Sequence, residues 1–470
     1  MGWILMVTAV LASQDAGGLV ISTPEAEGLS AAGVASAMEY AFARTGDDKD
    51  RLGIRSDGIV VLRHGRLVAE RYARGYDADR PHLSWSVTKS VTATLVGIAV
   101  AEGRIDVQNP AYTYYPGLAR PETRGITVDQ LLQMSSGLYW NEGYESSPVH
   151  SRVLQMLYTR GRGDMAAFTA GQALLSPPGS LWSYSSGTSN LLMGVLRGAV
   201  GEAEFSSWPW TRLFDPLGME NVTFERDGSG TFVGSSYWYA TARDQARFGQ
   251  FALQDGVWSG RRLLPEGWMA KVTAPNPAWL TMPATPGFDA ENPGSHWWTN
   301  TGNPARGIAA PWPEAPPDTY AAIGHWGQYI LVIPSLAMVV ARTGDDRNHD
   351  FSVGAILERL LAGTGVARQA PPATPFAEPM TKTPKSPSNK GDLKAFPSII
   401  SAYYAKELCS CLWVVGLPEP DCHDWVTQYI PIKEARVNEA SQRVTILGLG
   451  RVSQARYVGS REGCTLEPER

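Results

Sequence analysis

The run SVTKSVTATLVGIAVAE, Ser86–Glu102, places a serine and a lysine three residues apart at the head of a mostly apolar segment that suits a buried helix. A serine at a helix N-terminus keeps its backbone N–H free to hold an oxyanion. Three residues on, Lys89 returns to the same helix face, within reach of the Ser86 hydroxyl. The spacing alone says little, since it arises by chance roughly once or twice in a chain of this length. The surroundings say more. Lys49, Lys89 and Lys271 are the only lysines before Lys382, and Lys89 is set among Val87, Val91, Thr92 and Leu95. Burial lowers the proton affinity of an ammonium because the charged form is desolvated, which is how a lysine becomes a general base. The competing reading is a lysine that snorkels to solvent.

Outward from this segment, two hairpin signals bracket a helix-rich middle. Ile59–Leu62 and Leu67–Tyr72 are β-rich runs joined across His64-Gly65, and Tyr329–Ile333 and Ala337–Arg342 are joined across Pro334-Ser335. Val128–Ser136 reads as a helix capped by Thr127 and closed at Gly137. Strands at both ends with helices between them predict an α+β fold whose antiparallel sheet is completed late in the chain. No internal repeat is evident.

Composition bounds the function. The 470 residues are 43% hydrophobic and 19% charged, with 41 Lys+Arg against 46 Asp+Glu and a net charge of -5. There is ample apolar surface to bury and no basic excess to displace counterions from phosphate, which argues against disorder and against nucleic acid as partner. The apolar run Trp3–Ala12 is shorter than the ~20 residues a bilayer needs, so no integral membrane segment is expected. Residues 1–13 read as a signal peptide cleaved after Ala12, although no Lys or Arg precedes Arg44; the alternative is an apolar segment packed on the fold.

Six prolines between Ala370 and Lys390 mark an extended linker, 366–391, between a main domain at 20–365 and a small domain at 392–470. All four cysteines, Cys409, Cys411, Cys422 and Cys464, lie in that last segment. An even count in a small module favours two disulfides, with three connectivities open, and a periplasmic or secreted location. The alternative is a zinc site of Cys409, Cys411, Cys422 and His423, although C-x-C with one later cysteine is not a usual finger spacing.

Two further clusters carry candidate chemistry. Tyr184, in Trp182-Ser183-Tyr184-Ser185-Ser186-Gly187, precedes an apolar helix and is placed to relay a proton from a serine hydroxyl to a leaving group; the alternative is a packed aromatic. Gly324-His325-Trp326-Gly327-Gln328 enters the last hairpin, where glycine beside a strand lets substrate approach the backbone and the Gln328 N–H is the expected second oxyanion donor. Alone, a histidine such as His325 is more often a satisfied structural residue than a catalytic one. No G-x-S-x-G elbow, H-E-x-x-H helix, Walker loop or dinucleotide fingerprint occurs, and the seven histidines show no metal-ligand pairing, so neither cofactor nor metal is expected.

In this order the three clusters resemble the active-site elements of the serine β-lactamase and penicillin-binding superfamily. The likeness is nearest to its class C-like esterase and 6-aminohexanoate-dimer hydrolase branch. It spans about Ile54–Leu361 and includes Ile126–Leu132 with Ser136-Gly137-Leu138, and Ala240–Asp244. It implies an antiparallel sheet flanked by helices with an all-helical subdomain, Ser86 as nucleophile, and Lys89 and Tyr184 as the proton-transfer pair. It also implies that His325-x-Gly327 stands where relatives often have Lys-Thr-Gly, and that Tyr144 touches a small ester or amide substrate. An asparagine of the oligoamide hydrolases is replaced near Ser235, which argues against linear nylon-type amides. Trp279, Trp297, Trp298, Trp312 and Trp326 crowd the region of the third cluster, so an aromatic pocket wall including Trp326 is expected, with at least half of these rings packing the loop instead. Rival functions are a non-catalytic cell-wall or ligand sensor on the same fold, and a β-lactamase or D,D-peptidase. The oligomeric state is not legible.

Overall fold

The computed structural model describes residues 19–43, 50–144, 148–282, 293–364, 395–427 and 430–468. The expected signal peptide, 1–13, and linker, 366–391, lie outside the described residues.

A six-stranded sheet runs in the order Arg66–Tyr72, Ser56–Arg63, Met338–Gly344, Gln328–Ile333, Tyr320–Gly324, Trp298–Thr299, so the first and last hairpins lie side by side. The seam between them pairs Val60 with Ala341 and Leu62 with Val339. Both faces of the central strands are covered, which is why Ile59–Leu62 reads as a continuous apolar run rather than an alternation. Ile59 and Val61 meet the helices Ala31–Ala41 and Val353–Leu360. Val60 and Leu62 belong to the core that holds Val87–Ala101 and Ala242–Leu253. Gly249 permits the close seating of Ala242–Leu253, because a Cβ there would stand 2.6 Å from Val339 Cγ1 and 2.7 Å from Ile330 Cγ2.

On the side of the sheet that carries Val87–Ala101, that helix packs against Ser186–Val200, which also touches Val128–Leu132. The Thr127 cap is a full capping box: Gln130 N donates to Thr127 Oγ1 (3.2 Å) and Thr127 N to Gln130 Oε1 (3.0 Å). The helix ends earlier than its sequence suggests, at Leu132 rather than Ser136. Met134 takes a left-handed φ of 51° and turns the chain before Gly137 is reached.

Beyond residue 395, the helix Phe396–Ser410 lies on a four-stranded antiparallel sheet, Glu434–Asn438, Arg443–Gly448, Arg451–Gly459 and Gly463–Leu466. Cys409 pairs with Cys464 and Cys411 with Cys422, which selects one of the three connectivities and removes the zinc alternative. The buried apolar residues of this module join one cluster with Leu83, Trp85, Tyr237 and Tyr239. At the junction Lys406 is ion-paired with Glu225 and donates to Tyr239 Oη (3.2 Å). Glu225 also accepts from Ser410 Oγ (2.7 Å) and Cys464 N (2.8 Å), and Tyr158 Oη donates to Glu407 (3.0 Å). Burial pushes both carboxyls above the usual carboxylate range, against the pull of Lys406.

A lone partner removed from such a set leaves uncompensated charge in the interior. Lys406→Met is therefore expected to lower unfolding stability by about 3–5 kcal/mol in urea titration. The triple replacement Glu225→Gln, Lys406→Met, Glu407→Gln is expected to recover a large part of that loss. A neutral effect of Lys406→Met would contradict the buried-network reading.

Candidate active site

The short strand His82–Leu83 pairs with Trp238–Ala240 and delivers the chain into the turn Ser84-Trp85-Ser86. Ser86 caps Val87–Ala101, and its N–H makes no backbone hydrogen bond among the described residues, as expected of an orphan first-turn donor. One turn on, Lys89 is 2% exposed, which removes the snorkelling alternative. Its Nζ donates to Ser86 Oγ (2.9 Å) and to the carbonyl of Ser235 (3.0 Å). Burial brings the Lys89 pKa down to about 8, opposed only by the charge of Glu142.

Tyr184 lies against the same group, with Lys89 Nζ 4.9 Å from the centre of its ring. The ring stacks on Trp298 at 5.6 Å, and the next residue, Ser185, caps Ser186–Val200 by accepting from Thr188 N (3.0 Å). Ser86, Lys89 and Tyr184 share one narrow cavity with Trp182, Trp297, Trp298, Met134, Ile323 and His296 on its walls.

The third cluster behaves differently from its reading in the sequence. His325-Trp326-Gly327 is the turn between Tyr320–Gly324 and Gln328–Ile333, not a strand. Gln328 starts the following strand, one removed from the cavity, and its fully buried side chain donates to Gly344 O (2.6 Å) and His325 O (3.1 Å). It does not line the cavity; Ile323 does, from the strand edge that Trp298–Thr299 leaves uncovered beyond Ala321. Gly327 serves a buried guanidinium rather than substrate, since a Cβ there would stand 2.2 Å from Arg342 Nη1. The glycine that permits close approach near Ser86 is Gly324, whose Cβ would stand 2.3 Å from Ser84 O. Trp326 is not a pocket wall. It is buried against Trp85 and under the Arg347 guanidinium, 3.9 Å from the ring centre. Tyr144 and His325 stack on each other at 5.1 Å, and neither lines the cavity.

Of the five crowded tryptophans only Trp297 and Trp298 line the cavity; Trp279 is buried with Met134 and Trp182, and Trp312 packs on the far core. Arg306 donates to Trp279 O (2.7 Å) with its guanidinium over that ring, and is not on the cavity wall.

Besides Ile323, sequence reasoning missed two residues. His296 is buried on the cavity wall, with Nε2 2.9 Å from Ser189 Oγ and Nδ1 2.7 Å from Leu132 O. Burial lowers its pKa to about 4, so the ring is neutral at pH 7, with Nδ1–H donating to Leu132 and Nε2 accepting from Ser189. Glu142 accepts from the N–H (3.0 Å) and hydroxyl of Ser186 and from the Trp140 indole, placing a carboxylate at a helix N-terminus. Only its position in the run Trp140–Tyr144 offered a signal. Ser235, where an asparagine was expected in relatives, gives its carbonyl to Lys89 and accepts at Oγ from Asn190 Nδ2 (2.9 Å). Among the described residues no group of His, Cys, Asp and Glu is arranged to hold a metal ion.

This geometry coincides with a family match. Residues 39–362 match the family model described as Beta-lactamase, and the chain belongs to that family. A 6-aminohexanoate-dimer hydrolase of Paenarthrobacter ureafaciens is 32% identical over 321 residues, covering 64% of this chain and 77% of that protein. Among solved structures, a D-stereospecific amidohydrolase from Streptomyces sp. covers 71% of this chain and 99% of its own at 19% identity and a TM-score of 0.50. A family VIII carboxylesterase covers 70% and 96% at 16% identity and a TM-score of 0.52. The α+β fold and the serine-hydrolase class are those the resemblance implied.

A base must be neutral to accept a proton, so kcat/KM for a neutral ester is expected to rise with pH through an inflection near 8. Lys89→Met is expected to lose several powers of ten in kcat/KM while its Tm stays level or rises, because a desolvated ammonium has been removed. An inflection at the ordinary lysine value of 10.5, or a destabilised variant, would contradict this assignment.

Proposed function

We propose that the chain is an exported serine hydrolase that forms an acyl-enzyme on Ser86 and hydrolyses small neutral esters or amides. The observation that carries this reading is Lys89 Nζ, held 2.9 Å from Ser86 Oγ with its pKa lowered to about 8 by burial. Neutral Lys89 takes the Ser86 proton as Oγ attacks the carbonyl carbon, and the Tyr184 hydroxyl passes a proton to the leaving alkoxide or amine. The oxyanion is held by the Ser86 N–H and by the strand edge at Ile323, in place of Gln328. Water activated by the same pair then releases the acid. Two disulfides fit an oxidising compartment, hence periplasm or exterior, and residues 392–470 are a stapled module on a catalytic region at 20–365. Among the described residues no helix is long and apolar enough to cross a membrane.

The cavity favours neutral substrates. Lys89 is the one ionised side chain on its walls, Arg306 is held by Trp279, and His325 is stacked on Tyr144. No cation other than Lys89 therefore lines the cavity to meet a substrate carboxylate of the kind β-lactams carry, while Trp182, Trp297 and Trp298 offer apolar contact.

Ser86→Ala is expected to abolish turnover of a nitrophenyl acyl ester in a protein that remains folded. The parent is expected to show a higher kcat/KM for a short-chain acyl ester than for a penicillin or cephalosporin at pH 7, and His325→Lys to raise the β-lactam value. A parent that turns over β-lactams faster than the ester would overturn the substrate assignment, and near-parental activity in Ser86→Ala would overturn the nucleophile.

A further inference from the structure

Two bulky residues beside the cavity hold a left-handed backbone that suits glycine: Trp85 at φ 46° and Trp326 at φ 58°. Trp85 immediately precedes Ser86, and Trp326 lies in the turn that ends the strand carrying Ile323. The two indoles meet edge to face at 5.5 Å, so they lock the nucleophile turn to the strand edge opposite it. Strained backbone persists only where neighbours over-determine it. Here one of those neighbours, Trp425, comes from beyond residue 395, and a second residue from there, Lys406, backs another. Trp425 packs edge-on against Trp326 at 6.4 Å, and its carbonyl accepts from Arg347 Nη2 (2.7 Å), whose guanidinium covers the other side of the contact, 3.9 Å from the Trp326 ring centre. Behind Trp85 lies Tyr237 at 6.3 Å, and Lys406 Nζ sits 3.3 Å from the Tyr237 ring centre, fixed in turn by Glu225.

We propose that the C-terminal module is part of the catalytic apparatus: Trp425 and Lys406 are positioning residues that brace Trp326 and, through Tyr237, Trp85, and so hold Ser86 and the strand edge in their working arrangement. The family match ends at residue 362, so this brace is supplied by a part of the chain outside the shared catalytic unit. The proposal rests on the hydrolase reading given above. Its chemistry is mechanical: aromatic edges and a cation over a ring fill the space behind the turn, so the left-handed conformation is the one that packs.

The test uses the full chain and Trp425, which is half-buried and so removable at less cost to folding than Lys406. Active sites are counted by fluorophosphonate labelling of Ser86, and kcat and KM for a nitrophenyl acyl ester are measured per labelled site in the parent, Trp425→Ala and Trp425→Phe. Arg347→Ala supplies a second route to the same ring. Expected are a fall in kcat of at least tenfold in Trp425→Ala with KM within a factor of about three, recovery of most of it in Trp425→Phe, and a loss of the same kind in Arg347→Ala. Parental kcat per labelled site in both alanine variants would overturn the brace while leaving the hydrolase reading intact. So would losses that Trp425→Phe fails to recover. A parent that takes no label at Ser86 would overturn the hydrolase reading itself, and the brace with it.

Discussion

An ammonium group with no counter-ion, packed against a serine hydroxyl in a narrow cavity, is the constraint around which this part of the molecule is arranged. Lys89 makes no ion pair among the described residues; its hydrogen-bond partners are Ser86 Oγ and the Ser235 carbonyl. A buried cation held by neutral acceptors loses more hydration than it regains, and its pKa falls from 10.5 to about 8. The sign of the linkage follows. The unfolded chain binds the proton more tightly than the folded one, so Lys89 costs stability in full below pH 8 and progressively less as pH rises toward 10.5. The surrounding contacts offset that cost. Asn190 fixes Ser235, Thr92 Oγ1 donates to Gly234 O (2.8 Å), and His296 ties Ser189 to Leu132, so three helices and a loop close on one side chain.

What could be read from the sequence was what chemistry and spacing place close together. Ser86 and Lys89 are three residues apart on one helix, and their contact follows from helical geometry alone. The two hairpins were legible because strands covered on both faces become unbroken apolar runs, and the Thr127 cap because its partner Gln130 is three residues away. His296 was not legible: its partners Ser189 and Leu132 are more than a hundred positions distant, and a lone histidine among seven scattered ones carries no spacing signal. Ile323 was missed for a different reason: it lines the cavity from a strand edge, and the role we propose for it is that of a backbone donor, which side-chain identity does not mark.

The two glycines of the third cluster are close-approach positions of different kinds. Gly324 and Gly327 flank the same turn, and both are glycine because something approaches too closely for a Cβ. At Gly324 the intruder is the carbonyl of Ser84, so the strand edge comes against the nucleophile turn. At Gly327 it is Arg342, a fully buried guanidinium bonded to Ser56 Oγ (2.9 Å) and to the carbonyl of Gly327. The pattern Gly-x-x-Gly does not tell the two apart, and only the direction of approach separates a glycine that faces the Ser86 turn from one that faces a buried guanidinium.

A second buried lysine makes the logic of the first explicit. Lys406 is as deeply enclosed as Lys89, 3% against 2% exposed, yet it is paired with Glu225 and stands between two tyrosine rings. With carboxylates as neighbours an interior ammonium binds elements together, and removing it would strand their charge. With only a hydroxyl and a carbonyl as hydrogen-bond partners the same group is left short of compensation and holds its proton less tightly, with a pKa of about 8. The two lysines sit on opposite sides of the strand Trp238–Ala240 and the turn it supports: Lys89 faces Ser235 and Ser86, while Lys406 faces Tyr237 and Tyr239. One residue type thus stands in the proposed acid–base role and in a structural role within a single core, and the presence or absence of a carboxylate partner distinguishes the two.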